Sequence, residues 1–138
     1  MRVLLDTCVI SELWRKDGSE KVRKHVSVLK ANETYLSVLT VGEIAKGIHL
    51  LHESKKKHDL QNKLTLLEND YQENILNIGI ETIKICGESI AVSQRKGKST
   101  PVSDALIAAT AKRHGLHIMT RNTSDFNETG AMLINPWE

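Results

Sequence analysis

The stretch that most constrains the fold is Val3-Leu4-Leu5, three consecutive apolar residues that end abruptly at Asp6. A surface strand alternates apolar and polar residues; a strand buried on both faces does not. An unbroken run of this kind fits a parallel sheet covered by helices above and below. Helix-like sequence follows at once, with Val9, Ile10, Leu13 and Trp14. In open parallel α/β sheets, functional residues gather where the carboxyl ends of the strands meet the following loops. An Asp at that place either caps the next helix or faces something positive. Taken alone, Asp6 reads most simply as a cap. A chemical role depends on other carboxylates lying in equivalent places.

The rest of the chain repeats the strand-then-helix pattern. Val9 to Arg15 reads as a short helix, and Ser19 as the N-cap of a second that buries Val22, Val26 and Leu29. Thr34-Tyr35-Leu36-Ser37 is the second strand. Val41, Ile44, Ile48 and Leu51 then mark a buried helical face. Lys55-Lys56-Lys57-His58 opens a polar helix whose narrow apolar seam is Leu60, Leu64 and Leu67. Its basic run reads as a solvated face. Ile75 to Ile78 is the third strand, and Ile80 to Lys96 an amphipathic helix through Ile83, Cys86, Ile90 and Ser93. Ser103 reads as the cap of a helix from Asp104 to His114, closed by Gly115. His117-Ile118-Met119-Thr120 is the fourth strand, and Met132-Leu133-Ile134 a fifth, closed by Pro136. The expected architecture is a single α/β domain over residues 1–138, with a parallel central sheet of four to five strands and helices on both faces.

Composition narrows the setting more than the function. A chain of 138 residues forms about one domain, and 19 Lys and Arg against 17 Asp and Glu leave a net charge of only +2. That permits a nucleic-acid partner without implying one. Two isolated cysteines, Cys8 and Cys86, form neither a metal-spaced pair nor a disulfide framework, so a reducing cytoplasm is expected and both read as small hydrophobes. No signal-peptide pattern is visible, and no apolar run nears the roughly 18 residues of a membrane span. His49 and His52 lack companions for a zinc site. Gly97-Lys98-Ser99-Thr100 lacks the leading glycine and preceding strand of a phosphate loop.

Four acids share one expected location just past a strand or early in a helix: Asp6, Glu43, Asp104 and Asp125. Each has an ordinary reading as a cap, a dipole partner or a solvated acid. Four in one crevice would repel one another unless a cation sat among them. Oxygen ligands without His or Cys select Mg²⁺ or Mn²⁺ over zinc. Such a centre suits phosphodiester hydrolysis, because the metal activates water and neutralises charge on the phosphate.

Leu4-Leu5-Asp6-Thr7, the helix start at Glu43, Val102-Ser103-Asp104-Ala105-Leu106-Ile107-Ala108 and Thr120-Arg121-Asn122-Thr123-Ser124-Asp125-Phe126 together resemble the PIN domain. Their order and spacing, with the closing Ile134-Asn135-Pro136-Trp137, are similar to those of VapC and FitB-type toxins of toxin–antitoxin operons. The resemblance spans the whole chain and implies a Mg²⁺- or Mn²⁺-dependent endoribonuclease. Asp6, Glu43, Asp104 and Asp125 would hold metal, supported by Thr7, Thr120 and Asn122. It further implies products with a 5′-phosphate and a 3′-hydroxyl, a homodimer or higher assembly, and a small antitoxin whose C-terminal segment covers the acidic cleft. Arg121 adjoins the expected site and is a candidate contact to an RNA phosphate, with Arg15, Lys16, Lys96 and Lys98 in loops around the rim.

Two readings from other classes compete. A response-receiver domain would carry an acidic pair after the first strand, an Asp after the third and a Lys after the fifth. Here Asp6 is single, Asn77 and Gly79 stand near the third strand, and the chain ends soon after the fifth. The alternative that survives is a non-catalytic RNA-binding or scaffold module of PIN-like fold, which the absence of nuclease activity would favour.

Overall fold

In the computed structural model, which describes residues 1–138, the chain runs β1 (Val3–Leu5), α1 (Thr7–Trp14), α2 (Glu20–Ser27), β2 (Thr34–Ser37), α3 (Val38–His49), α4 (Lys55–Asp70), β3 (Ile75–Leu76), α5 (Ile80–Arg95), α6 (Val102–His114), β4 (His117–Met119) and β5 (Met132–Ile134). All strand pairs are parallel, in the order β3-β2-β1-β4-β5. The register pairs Val3 with both Thr34 and His117, and Leu5 with Met119.

The central place of β1 explains its unbroken apolar run. Val3 and Leu5 point to one face, where they meet Val9, Ile10, Val22, Leu36, Ile44, Ile48 and Leu67; Leu4 points to the other, against Ile107, Ala108, Ala111 and Phe126. All three are fully buried. Helices α1 to α4 cover the first face and α6 the second, with α5 packed on the outer side of α6. The small residues of α6 make that close approach possible: Ala105 and Ala109 form a buried cluster with Cys86 of α5.

Most element boundaries follow the local signals. The Ser19 hydroxyl accepts from the Val22 N–H, and Gly115 ends α6 with φ of +67°, the left-handed conformation that glycine adopts without strain. Four expectations need correction. Helix α1 begins at Thr7, not Val9, because Asp6 occupies its N-cap. Helix α6 begins at Val102 with Pro101 as its N-cap residue, so Ser103 lies inside the first turn and caps nothing. The fixed φ of proline pre-sets this entry without a side-chain cap. On α5 Cys86 and Ser93 are buried and Ile90 partly so, as expected, but at the helix start Thr82 is buried in place of Ile83, which is exposed. In the basic run, Lys57 is buried and pairs with Glu53 at 2.9 Å; only its neighbours form a solvated face. No helix is long and apolar enough to cross a membrane.

Candidate active site at the carboxyl edge of the sheet

The strand order reverses direction at β1. From it the chain moves outward through β2 and β3, then crosses back to lay β4 on the opposite side. Loops leaving the carboxyl ends of β1 and β4 therefore diverge and open a crevice between them, the usual ligand position in open α/β sheets. Asp6 follows β1 into this crevice and Thr120 follows β4. The two are locked together by the backbone bond from the Asp6 N–H to the Met119 carbonyl (3.0 Å) and by the Thr120 hydroxyl, which donates to Asp6 Oδ2 at 2.9 Å.

Asp6 caps α1 with one oxygen and leaves the other on the crevice side. Its Oδ1 accepts from the Thr7 N–H at 2.9 Å, while Oδ2 faces Thr120 in the crevice. Thr120 is fully buried, and its oxygen also accepts the Asn122 N–H at 3.0 Å. Asn122 thus acts through its backbone. Its carbonyl accepts the Asp125 N–H at 3.0 Å, opening the 3-10 turn Thr123–Phe126 that buried Phe126 anchors. One chain of bonds runs from the first acid to the fourth.

Glu43 reaches the crevice from α3. Its Oε1 accepts from the Thr7 hydroxyl at 3.2 Å, so Thr7 ties the start of α1 to the second turn of α3. Burial raises the Glu43 carboxyl above its ordinary value, and the charge of Asp6 adds to the rise; the Thr7 bond and Lys46 oppose it. Asp104, half-buried in the first turn of α6, is also raised. Burial is the larger cause, followed by the negative charges of Asp125, Asp6 and Glu43 in that order. Asp104 therefore lies in the field of the other three sequence-selected acids, and Glu43 in that of Asp6. Even so, no three of them converge closely enough to grip a single ion as they stand. Uncompensated carboxylates repel, which disfavours close convergence while no cation lies among them. In kind and charge the donor set fits a hard, oxygen-seeking divalent cation; closure around one requires side-chain rotation.

The surroundings hold features that sequence reading missed. Cys8 has its Sγ 3.6 Å from the Thr120 oxygen and 4.0 Å from Asp6 Oδ2, and it accepts the Arg121 N–H at 3.5 Å. Burial pushes its thiol up, so it stays neutral at pH 7. Its position two residues past Asp6 was visible, but its neighbours come from β4, which lies 112 residues away in sequence. The Arg121 guanidinium rests 5.3 Å above the ring centre of Trp137. Beside Thr7 and Glu43 opens a groove of about 470 Å³ lined by Trp14, Ile44, Ile48 and Leu60, with Arg15, Lys16 and Lys56 among its cations. Lys96 and Lys98 instead pair with Glu128, at 3.7 and 3.2 Å.

A family model described as the PIN domain matches residues 3–131. The chain belongs to the PIN-domain family. This PIN domain is 32% identical over 140 residues to the VapC ribonuclease Y4jK of Sinorhizobium fredii, covering 99% of this chain and 98% of the relative. It is 34% identical over 143 residues to the toxin FitB of Neisseria gonorrhoeae, covering 98% of each. Its backbone superposes with a TM-score of 0.93 on the crystal structure of FitAcB from Neisseria gonorrhoeae, at 34% identity and 99% coverage of both chains. The PIN domain fold is thus shared over nearly the whole length.

Proposed function

We propose that this PIN domain is a Mg²⁺- or Mn²⁺-dependent endoribonuclease, the toxin of a toxin–antitoxin pair, that hydrolyses RNA phosphodiester bonds in the cytoplasm. The observation that carries the reading is the placement of four acids at one sheet edge, where burial raises Asp104 and the charges of Asp125, Asp6 and Glu43 add to the rise. Its relatives support the same activity, since one is named a VapC ribonuclease and another a toxin.

Asp6, Glu43, Asp104 and Asp125 are the residues that would hold the ion. A bound divalent cation supplies Lewis acidity, activating water and neutralising charge on the phosphate. The protein's own part is positioning. Thr120 holds Asp6 Oδ2 towards the crevice, Thr7 holds both Asp6 and Glu43, and Asn122 fixes the turn carrying Asp125. The excess negative charge that raises Asp104 also favours entry of any cation that relieves it.

The partner would be a small antitoxin whose C-terminal segment covers the cleft, with an arginine pairing to the acids. A solved toxin–antitoxin complex from Klebsiella pneumoniae, 26% identical over 99% of this chain with a TM-score of 0.71, supports a partnered state. The active assembly would be a homodimer or larger. The test is incubation of wild type and Asp6→Asn with total cellular RNA, in Mn²⁺ or in EDTA. Wild type should cleave in Mn²⁺ alone and the variant not at all. RNA binding without cleavage by wild type under either metal would favour a non-catalytic RNA-binding or scaffold module.

A further inference from the structure

Arg121 stands one residue past Thr120, beside a crevice that concentrates four carboxylates. A cation so placed would ordinarily pair with one of them, yet Arg121 takes part in none of the molecule's ion pairs within 4.0 Å. Two contacts account for this. Its backbone N–H is held by Cys8 Sγ, and its guanidinium lies against the face of the Trp137 indole, 5.3 Å from the ring centre. Trp137 is itself fixed: its N–H donates to Asn135 Oδ1 at 2.9 Å, Pro136 before it is buried, and its ring packs on the core cluster of the first sheet face.

Stacking on an aromatic ring occupies only the face of a guanidinium. The five N–H groups lie in its plane, so their edge remains open for bidentate bonding to a tetrahedral oxyanion. The crevice next to it is negative, which excludes a free anion but not a phosphate delivered along a polymer whose neighbouring phosphate engages the ion.

We propose that Arg121, presented by Trp137, forms a phosphodiester-binding subsite for the RNA strand flanking the cleaved bond, with Trp137 as the positioning residue. The inference rests on the endoribonuclease reading above. It adds a substrate contact outside the acid cluster and a role for a residue near the chain's end.

The test is fluorescence-anisotropy binding of a single-stranded, hydrolysis-resistant phosphorothioate oligoribonucleotide in Mn²⁺ across a salt series, with cleavage kinetics of the natural RNA in Mn²⁺ alongside. Arg121→Ala should weaken binding roughly tenfold or more, and lower the slope of log affinity against log salt by about 0.7, the value for one single-strand phosphate contact. Trp137→Leu keeps apolar bulk against the core while removing the ring, and should weaken binding about 2- to 5-fold. Trp137→Phe should restore most of that loss. The double variant Arg121→Ala, Trp137→Leu should bind no worse than Arg121→Ala alone, because the platform acts only through the arginine. In cleavage the losses should appear in KM rather than kcat. Melting temperatures identify any variant that fails to fold, and Trp137→Phe then carries the comparison with wild type. Additive losses in the double variant, or Trp137→Leu that binds as wild type does, would overturn the platform while leaving the nuclease reading intact. Wild type that neither binds nor cleaves RNA would overturn both.

Discussion

The loops leaving β1 and β4 each deliver an acid to the crevice, but they hold it differently. Asp6 follows its strand directly, is half-buried, and has each oxygen engaged at 2.9 Å by a different element. Asp125 lies six residues past the end of β4, exposed on a single 3-10 turn whose hold on the site is one backbone bond to Asn122. The central strands fix the first acid; a short turn over Phe126 carries the fourth. A centre of the kind proposed, which would bind an ion and release products, would use both: a rigid ligand to set the position and adjustable ones to close around it.

The sharpest way to break this comparison is to neutralise each acid without changing its shape. Asp6→Asn should reduce Mn²⁺-dependent RNA cleavage by at least about 100-fold, since the ion is asked to supply several kcal/mol of charge stabilisation. Asp104→Asn and Glu43→Gln should behave alike. Asp125→Asn should lose less, because its turn can relax. Wild type should also gain melting temperature on adding Mn²⁺ by mass action, and Asp6→Asn much less. Equal losses at Asp6 and Asp125 would show that both loops hold their acids with the same stiffness.

The next effect is on stability and isolates the rigid half. Thr120→Val removes a fully buried hydroxyl that donates to Asp6 and accepts from Asn122. Two half-buried polar groups lose a partner, at a cost of about 1–3 kcal/mol in urea unfolding. Cleavage should fall with it, since Asp6 loses its orientation. A variant as stable and active as wild type would mean that the strands alone place Asp6.

The same contrast governs what the sequence could reveal. Strand-end acids, the double-sided burial of Val3 to Leu5 and the Gly115 helix stop are local signals, and each lies where local chemistry put it. Asp6 and Asp104 carry a local signal, since one follows a strand directly and the other stands in the first turn of a helix. Glu43, in the second turn of α3, and Asp125, six residues past β4, carry a weaker one. The Cys8–Thr120 contact and the Arg121–Trp137 stack were not legible, since both depend on β4 lying beside β1 and on the path of the chain after β5. Ser103 misled because a good capping residue stood two positions after a proline that already set the helix entry. On α5 the alanines of α6 accept Cys86 and Ile90 as the spacing suggests, and of the expected line only Ile83, in the first turn, lies off the packed face.

A smaller effect follows from the raised carboxyl of Asp104. Its folded-state pKa lies above its unfolded value, so the ionised form is disfavoured by folding. In metal-free protein the favourable contribution of the protonated form is complete below the unfolded value. It is lost as pH rises through the folded one. Asp104→Asn should therefore match wild type in acid and become the more stable of the two towards pH 7, in EDTA. Thermal unfolding across that range reads the difference, and Mn²⁺ should cancel it for wild type by supplying the missing positive charge. A variant less stable than wild type at pH 7 in EDTA would mean that Asp104 serves the fold as a first-turn acid instead.

The smallest effect is expected where the structure departs most from the sequence reading. Cys8 was read as a small hydrophobe, yet its sulfur touches Thr120, Asp6 and the Arg121 N–H. All three contacts are long, at 3.5 to 4.0 Å, and the thiol is neutral because burial raises it. Sulfur at these distances is a weak acceptor and a weaker donor, so it pads the junction of β1 and β4 more than it orients it. Cys8→Ala should then cost about 1 kcal/mol and leave cleavage within a few-fold of wild type. Cys86→Ala, among Ala105 and Ala109, should cost a similar amount with no change in cleavage at all. Cys8→Ser separates packing from bonding: a hydroxyl is a better hydrogen-bond partner but too short to reach all three neighbours. If Cys8→Ser cleaves better than Cys8→Ala at equal stability, the bond to Thr120 contributes to holding Asp6. If Cys8→Ala loses cleavage entirely while its melting temperature stays at the wild-type value, the thiol belongs to the chemistry, and the rigid half of the site has one more member than its two strands supply.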